Sequence, residues 1–598
     1  MTAAIVGEWA RLLLGSLAQA GVSDVVVSPG SRSTPFAWAA AGTPGLRCHA
    51  LYDERSAGFF ALGLARVTNM PALLLCTSGS AAANYFPAVV EASLAHVPLL
   101  VLTADRPLEL QDVGAPQTID QVKLYGDFAR RYFDLGLPDA APDALAALRR
   151  IAAQACFVAS EPAPGPVHLN ARARKPLEPS APHTEHERAV ADEVTRLLAH
   201  RLPEVHGPLG ELTASAAESL HDALERAQRG IIVVGPLALD DAGSAEAIRT
   251  LGRQRAMPVF AEATSQLRFG AAPDERTFDA LDWVFRSSTA LEKLWPDTVL
   301  RFGATPTSGA LERLLAARRG TELLVVSEHA FSDPSNGAAV VVRGGPERIA
   351  RLLSEDSREQ WDARTAYVEA VAAANAAAWS AVDDVLGGAN FEASGEALAV
   401  RAAVDAIPPE GLLVLGNSLP IREVDAFVRA SARSLRVLCQ RGTNGIDGIV
   451  SGAAGSAFAS GSPALVLLGD VSFAHDLSGL AAARLVTTPF VIVVLDNDGG
   501  RIFEQLPVER LFHENEALRR LWLTPPGLAL EHAAGLFGLR FAAPGDVPSL
   551  REALGSAMAT PGATVVHVRI APEGTRRTMR AIGELVEARV RSALGGPG

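Results

Sequence analysis

The sequence predicts an α/β protein of three doubly wound parallel-sheet domains, at about residues 1–180, 205–355 and 390–598. Three observations carry that expectation. Short runs rich in Val, Leu and Ile alternate with Ala-rich stretches of helical periodicity, the pattern of strands joined by crossover helices. The alternation pauses twice, in a Pro-, His- and Glu-rich stretch at about 174–210 and in an Ala-rich, then loop-like stretch at about 354–395. The length, 598 residues, also exceeds what one hydrophobic core serves.

In the first block, residues 25–28, 72–76, 99–103 and 167–170 read as strands, with helices over 56–67 and 81–95. The second block has strand runs at 231–235, 259–261, 299–302, 323–326 and 340–342. The third has them at 412–416, 436–439, 464–468, 490–496 and 564–569, with a helix-like stretch at 476–485 and a frayed end at 593–598. Open parallel sheets bind ligands beyond the carboxyl ends of their strands, so the chemistry is expected in the segments that follow each strand.

Composition narrows the class. Hydrophobic residues make up 48% and charged residues 20%, ordinary for a globular protein. A net charge of −13 argues against general nucleic-acid binding, yet leaves room for a local basic pocket. The four cysteines form no C-x-x-C pair, which gives no support to a zinc or redox motif and fits free thiols in a reducing cytoplasm. Glu8 and Arg11 interrupt the apolar N-terminus, which reads as an amphipathic helix. No run of about 18 uncharged apolar residues predicts a membrane span.

The run Leu465-Val-Leu-Leu-Gly-Asp470-Val-Ser-Phe is a buried strand ending in Gly-Asp, and a second strand over 489–495 ends in Asp496-Asn-Asp-Gly-Gly500. Asn497 lies 27 positions after Asp470. Magnesium takes oxygen ligands, usually one or two from protein and the rest from phosphates and water. Asp470 offers a carboxylate, Asn497 an amide oxygen and Gly499 a backbone carbonyl. A Gly-Asp strand end alone reads more readily as a helix N-cap than as a metal site. The paired loop is what favours a metal.

Glu54 opens a helix that is apolar nearly all round after Ser56, and it shares a face with Ala57, Gly58, Ala61 and Ala65. Such a carboxylate either has a specific partner or caps its helix. Thr77-Ser-Gly-Ser-Ala-Ala-Ala-Asn84 is a small-residue turn that suits close approach of a ring or phosphate, or simply a tight strand-to-helix connection.

Gly-Asp, helix, strand and Asn-x-Gly-Gly at this spacing resembles the cofactor motif of thiamine-diphosphate enzymes, with Val471 where a second Gly is usual. Further segments resemble one family among them, the 2-succinyl-5-enolpyruvyl-6-hydroxy-3-cyclohexene-1-carboxylate synthases of menaquinone biosynthesis. They are Ser28-Pro-Gly-Ser-Arg-Ser-Thr-Pro35, Thr103-Ala-Asp-Arg-Pro107, Gly114-Ala-Pro-Gln117, Gly416-Asn-Ser-Leu-Pro-Ile-Arg422, Arg441-Gly-Thr-Asn-Gly-Ile-Asp-Gly448 and Asn497-Asp-Gly-Gly-Arg-Ile-Phe503. The middle block matches only weakly.

The resemblance implies a pyruvate-decarboxylase-like fold, with a pyrimidine-binding first domain and a diphosphate-binding third domain. The cofactor is thiamine diphosphate with magnesium, for which manganese can substitute. Glu54 would activate the aminopyrimidine, with Thr77, Ser78, Gly79 and Ile446 beside it. Gly469, Asp470, Val471, Ser472, Asn497, Gly499 and Gly500 would hold the diphosphate, and Asp470, Asn497 and Gly499 the metal. Ile502 would support the bent cofactor and Phe503 line the pocket. The implied reaction decarboxylates 2-oxoglutarate and adds the succinyl carbanion equivalent to isochorismate in a 1,4 fashion. Both substrates are dianions, which arginine forks suit. Arg32, Arg106, Arg422 and Arg441 fall in the relevant loops, with Ser31, Gln117 and Ser418 as neutral partners. Ser418 and Arg422 are expected at the succinyl end, Arg32 and Arg106 at isochorismate. The family further implies a homo-oligomer whose active site lies between the first domain of one subunit and the third of another.

Two departures stand out. Thr307-Ser-Gly-Ala310 lacks the basic residue common in the family's middle domain, and Asp498 stands where a second Asn is common, so its charge should point away or be neutralised. His475 is expected to be a solvated helix-end residue with no catalytic role. The alternatives are an acetolactate-synthase-like lyase joining two 2-oxo acids and a catalytically silent paralogue. The arginine set opposes the first, and intact Glu54, Asp470 and Asn497 oppose the second.

Overall fold

The computed structural model describes residues 2–207, 212–239, 242–271, 276–317, 320–354, 362–512 and 515–595. It contains three six-stranded parallel sheets. The first consists of β1 (Asp24–Val27), β2 (Arg47–Ala50), β3 (Ala72–Cys76), β4 (Leu99–Asp105), β5 (Arg131–Gly136) and β6 (Pro166–Arg172), in the order β2-β1-β3-β4-β6-β5. The second consists of β7 (Gly230–Val234), β8 (Val259–Ala261), β9 (Thr277–Phe278), β10 (Thr298–Phe302), β11 (Glu322–Ser327) and β12 (Ala338–Arg343), ordered β12-β11-β10-β7-β8-β9. The third consists of β13 (Gly411–Leu415), β14 (Leu435–Cys439), β15 (Ala464–Gly469), β16 (Pro489–Asp496), β17 (Arg540–Ala542) and β18 (Gly562–Arg569), ordered β14-β13-β15-β16-β18-β17. Each sheet winds outward in both directions from one point, between β1 and β3, β7 and β10, or β13 and β15. That reversal opens a crevice at the carboxyl ends.

The apolar runs predict every interior strand and two edge strands, β12 and β14. β3, β4, β7, β8 and β10 are buried throughout, because helices cover both faces. β2, β5, β9 and β17 are additional to the expected set, and all four are edge strands. An edge strand is only partly covered, so Arg47-Cys-His-Ala50 carries no apolar run to betray it.

The expected linker at 174–210 contains a helix, Glu185–Ala199, closed by a Thr184/Glu187 capping box. Its Val190, Val194 and Leu197 join the core beneath the first sheet. Residues 208–210 of that stretch lie outside the described residues, as do 355–361 of the second pause and 596–598 of the expected frayed end. All four cysteines are free thiols, and no helix among the described residues is long and apolar enough to cross a membrane.

The chain forms two compact units. One holds Met1–Pro208 together with Gln440–Gly461 and His475–Thr488, and the other holds the remaining segments, including the second and third sheets. Within the second, Gln266 Nε2 donates to Val437 O (2.7 Å) and Trp283 Nε1 to Ala426 O (2.8 Å).

Within the first unit, the Glu54–Thr68 helix lies on the Ile449–Ser460 helix. Glycines permit the contact. A Cβ on Gly63 would stand 2.1 Å from Gly452 O, and one on Gly455 2.1 Å from Phe60 O. The start of the Ile449–Ser460 helix is capped from a distance: Asp476 accepts from Ser451 N (2.7 Å) and Ser451 Oγ (2.9 Å). This explains why the helix expected at 476–485 starts late, as Gly479–Ala483, separated from the preceding short helix Asp470–His475. Asp476 leaves the helical path to serve another helix. Burial pushes its carboxyl up to about 7, against the lowering effect of the Ser451 bonds and the Arg55 charge.

Gly63→Ala should destabilise the protein by about 1–3 kcal/mol, the usual range for overpacking, as read from urea unfolding. A second expectation concerns pH. The folded value of Asp476 lies above the usual unfolded value of about 3.9, so its contribution to stability is complete below about pH 4 and is lost as pH rises through about 7. Melting temperatures taken from pH 4 to 8 should show the parent losing ground to Asp476→Asn across that window. Parallel curves would count against it.

Candidate active site

In the first unit, the segments after β1, β3 and β4 meet at the sheet's reversal point. Ser31, Arg32 and Ser33 form a single 3-10 turn after β1. The Arg32 N–H donates to Thr77 Oγ1 (3.2 Å) and its Nη1 to Ala173 O (2.6 Å), while Nε is buried without an acceptor. Burial lowers the Arg32 pKa, and the like charge of Arg106 lowers it further. Two cations thus sit close enough to repel, and the Asp105 carboxylate offsets only part of the effect on Arg32. Ser78 Oγ donates to Gln117 O (3.0 Å), Gln117 Nε2 to Ser78 O (3.1 Å) and Arg106 Nε to Gln117 O (3.4 Å). Ser31, Arg32, Thr77, Ser78, Gly79, Arg106 and Gln117 therefore form one cluster, with Ser31 and Gln117 exposed.

Glu54 is the first residue of its helix, which Asp53 caps by accepting from Arg55 N and Ser56 N. Its partners on the predicted face, Ala57, Gly58, Ala61 and Ala65, are all buried. The Glu54 carboxylate is half-buried and lies near the end of β3. Burial pushes the Cys76 thiol up and the Glu54 charge adds to that effect. Arg441 and Ile446 are half-buried on a loop of the same unit. Glu91, buried in the Phe86–Leu94 helix, pins that loop by accepting from Gly442 N (3.0 Å), Thr443 N (2.7 Å) and Thr443 Oγ1 (2.9 Å). Sequence reasoning missed Glu91; the signal was a lone charge in an otherwise apolar helix. His475 is exposed, as expected, and its carbonyl accepts from Arg55 Nη2 (2.9 Å).

In the second unit, Ser418 follows β13, Asp470 follows β15 and Asn497 follows β16. Ser418 adopts a left-handed φ of 75° at the start of the Leu419–Phe427 helix, and Arg422 Nη1 donates to its carbonyl (2.6 Å). Gly469 pairs with Leu495, so the two metal-loop segments leave neighbouring strands side by side. Asp470 Oδ1 accepts from Val471 N (2.8 Å) and Oδ2 from Gly499 N (2.7 Å). Burial pushes the Asp470 carboxyl up to about 6, and nearby Asp496 adds to it. A divalent cation would offset that cost. Val471 is half-buried and Ser472 buried in the six-residue helix that Asp470 begins.

Asn497 supplies the test of fit. Its Nδ2 donates to Glu396 Oε1 (2.5 Å), while its Oδ1 is buried with no hydrogen-bond partner. Buried amide oxygens are nearly always satisfied, so an orphan beside a buried carboxylate fits a metal ligand. Gly499 has φ 116°, and a Cβ there would stand 2.4 Å from Leu523 O. Its carbonyl accepts from Arg501 N (2.8 Å), leaving one lone pair for a cation. Gly500 N donates to Leu523 O (2.7 Å). Ile502 and Phe503 are half-buried in the following turn, and Phe503 meets Trp522 edge-on at 5.0 Å.

Arg501 is the second residue that sequence reasoning left without a role. Its buried guanidinium donates to Asn497 O (2.9 Å), Asp498 O (3.2 Å) and Glu504 Oε1 (2.9 Å), and pairs with the Asp498 carboxylate at 3.3 Å. The exposed Asp498 carboxylate thus has a cation beside it, one it shares with Glu504. Behind Asn497, the Glu396 and Glu423 carboxyls are buried together, and burial pushes both up. In the middle domain, Thr307 N (2.7 Å) and Ser308 N (2.9 Å) both donate to buried Glu262 Oε1. The N–H groups of this run are thus turned to a carboxylate of the chain itself.

The chain is similar to known proteins over most of its length. The model "Thiamine pyrophosphate enzyme, N-terminal TPP binding domain" matches residues 8–124, and "Thiamine pyrophosphate enzyme, C-terminal TPP binding domain" matches residues 429–568. Three relatives carry the name 2-succinyl-5-enolpyruvyl-6-hydroxy-3-cyclohexene-1-carboxylate synthase. The one from Sorangium cellulosum is 42% identical, covering 96% of this chain and 94% of its own. That from Geobacillus kaustophilus is 40% identical, covering 98% and 99%, and that from Haloarcula marismortui 38%, covering 94% of each. An X-ray structure from Mycobacterium smegmatis, provisionally described as a thiamin diphosphate-dependent enzyme, shares the fold with a TM-score of 0.63 at 19% identity, over 93% of this chain and 98% of that one. The chain belongs to the 2-succinyl-5-enolpyruvyl-6-hydroxy-3-cyclohexene-1-carboxylate synthase family of thiamine-diphosphate enzymes.

Proposed function

We propose that this enzyme decarboxylates 2-oxoglutarate and joins the remaining succinyl unit to isochorismate by 1,4-addition, using thiamine diphosphate and magnesium. The observation that carries the cofactor reading is the buried, unpartnered Asn497 Oδ1 on the loop tied to Asp470. The relatives' shared name supports the substrates. When bound, thiamine diphosphate supplies the nucleophilic carbon that takes up the oxo acid and carries the electron pair left by carbon dioxide.

The chain's residues do the rest. Asp470, Asn497 and the Gly499 carbonyl would hold the cation against the diphosphate. Glu54 would hold a proton at a ring nitrogen of the aminopyrimidine, with Thr77, Ser78, Gly79 and Ile446 lining the ring and Ile502 and Phe503 the pocket. Arg32 and Arg106 would bind the carboxylates of isochorismate, helped by Ser31 and Gln117. Arg422, beside Ser418, would bind the distal carboxylate of 2-oxoglutarate, and Arg441 would add a further cation. The mutual repulsion of Arg32 and Arg106 supports a dianionic ligand. We further propose a cytoplasmic homo-oligomer, dimer or tetramer, with active sites shared between the first and third domains of different copies.

Carbon dioxide release from 2-oxoglutarate, measured with and without isochorismate, tests the reading; release that yields joined 2-oxo acids and ignores isochorismate would favour the lyase alternative. Glu54→Gln should cut turnover by about 100-fold or more, the low end for loss of a positioned acid–base group. Full activity in that variant sinks the mechanism. Arg422→Ala should raise the half-saturating 2-oxoglutarate concentration about tenfold or more, as expected for losing a charged hydrogen bond. An unchanged value would remove Arg422 from the succinyl end.

A further inference from the structure

Neither the loop spacing nor the family motifs single out Glu396. It precedes the Ala397–Ala406 helix as its N-terminal flanking residue, is 1% exposed, and is fixed in place by its N–H, which donates to Thr575 Oγ1 (3.0 Å). Its Oε1 accepts from Asn497 Nδ2 at 2.5 Å.

A carboxamide presents an acceptor and a double donor on opposite sides of one plane, and the two differ little in size. Nothing in the shape of the Asn497 side chain decides which end faces a ligand. Glu396 Oε1 accepts from the Asn497 amide, so it selects the orientation with the NH2 group toward itself. The amide oxygen is then turned away from Glu396, where it is buried without a donor. The opposite orientation would set oxygen against oxygen and point N–H donors at a cation. Arg501 holds the main chain of Asn497 through its carbonyl, so the side-chain torsion is the remaining freedom.

We propose that Glu396 is the positioning residue of the metal site: it fixes the Asn497 amide so that oxygen, and not nitrogen, faces the divalent cation. This rests on the reading of Asn497 as a metal ligand. Glu396 itself touches neither metal nor substrate in this role. Its effect is to prepay the ordering of a ligand, as second-layer partners of metal sites do.

The test is a magnesium titration of the full-length protein in the presence of thiamine diphosphate, read by calorimetry, with the melting temperature of each metal-free variant taken alongside. Glu396→Ala should weaken magnesium binding about 10–100-fold, while Glu396→Gln, whose amide oxygen still accepts, should stay within about threefold of the parent. A swapped pair guards against a variant that does not fold. Asn497→Asp alone faces Glu396 with like charge and should bind poorly, whereas Asn497→Asp with Glu396→Gln restores one donor opposite one acceptor and should recover binding. Parent-like affinity in Glu396→Ala overturns the proposal, as does equal loss in the Ala and Gln variants, or a swapped pair no better than Asn497→Asp. Affinity that merely tracks metal-free melting temperature across all variants also overturns it. If the parent itself binds no magnesium with thiamine diphosphate, the cofactor reading falls and takes the proposal with it.

Discussion

The hydrogen bond from Gly499 N to Asp470 Oδ2 closes a short bridge between the ends of two neighbouring strands, β15 and β16. The candidate metal loops are arranged around that bridge. It commits one oxygen of a buried carboxylate to the loop that carries Asn497, so the Asp470 and Asn497 segments cannot drift apart independently. It also requires a residue at position 499 whose backbone passes within contact of Leu523 O, which only glycine permits. Arg501 then draws in the carbonyls of Asn497 and Asp498 from the other side. A buried Asp470 with its carboxyl pushed upward is costly in isolation. That cost is the electrostatic counterpart of readiness for a cation.

The interior of each sheet is legible in the sequence because a strand covered on both faces must be apolar along its length. β3, β7 and β15 could hardly read otherwise. The edge strands β12 and β14 still carry Val- and Leu-containing runs, whereas β2, β5, β9 and β17 escape because an edge strand can take its place from backbone pairing with one neighbour, which leaves little trace in side-chain chemistry. The helix expected at 476–485 is shortened to Gly479–Ala483 for a related reason. Its local pattern is helical, but Asp476 is recruited by Ser451 on a distant helix, and the tertiary bond overrides the local preference.

The candidate site divides the same way. Candidate residues that follow a strand, such as Arg32, Asp470 and Asn497, stand out because side-chain chemistry and position coincide in a few consecutive letters. The residues that hold them do not. Glu91 pins the Arg441 loop from 350 positions away, and Glu396 reaches Asn497 from 101. Glu396 before an Ala-rich helix looks like any helix start, and Glu423 like any polar residue on an amphipathic one. Their roles exist only once the chain has folded.

The ion pair of Arg501 with Asp498 has a consequence for how this loop can diverge. Asn at 498 leaves the buried guanidinium its Glu504 partner, whereas a neutral residue at 501 strips Asp498 and Glu504 of the cation they share and leaves only Arg519 beside Glu504. The two steps are therefore unequal: replacing Asp498 is the mild one, and loss of Arg501 is better tolerated after it than before.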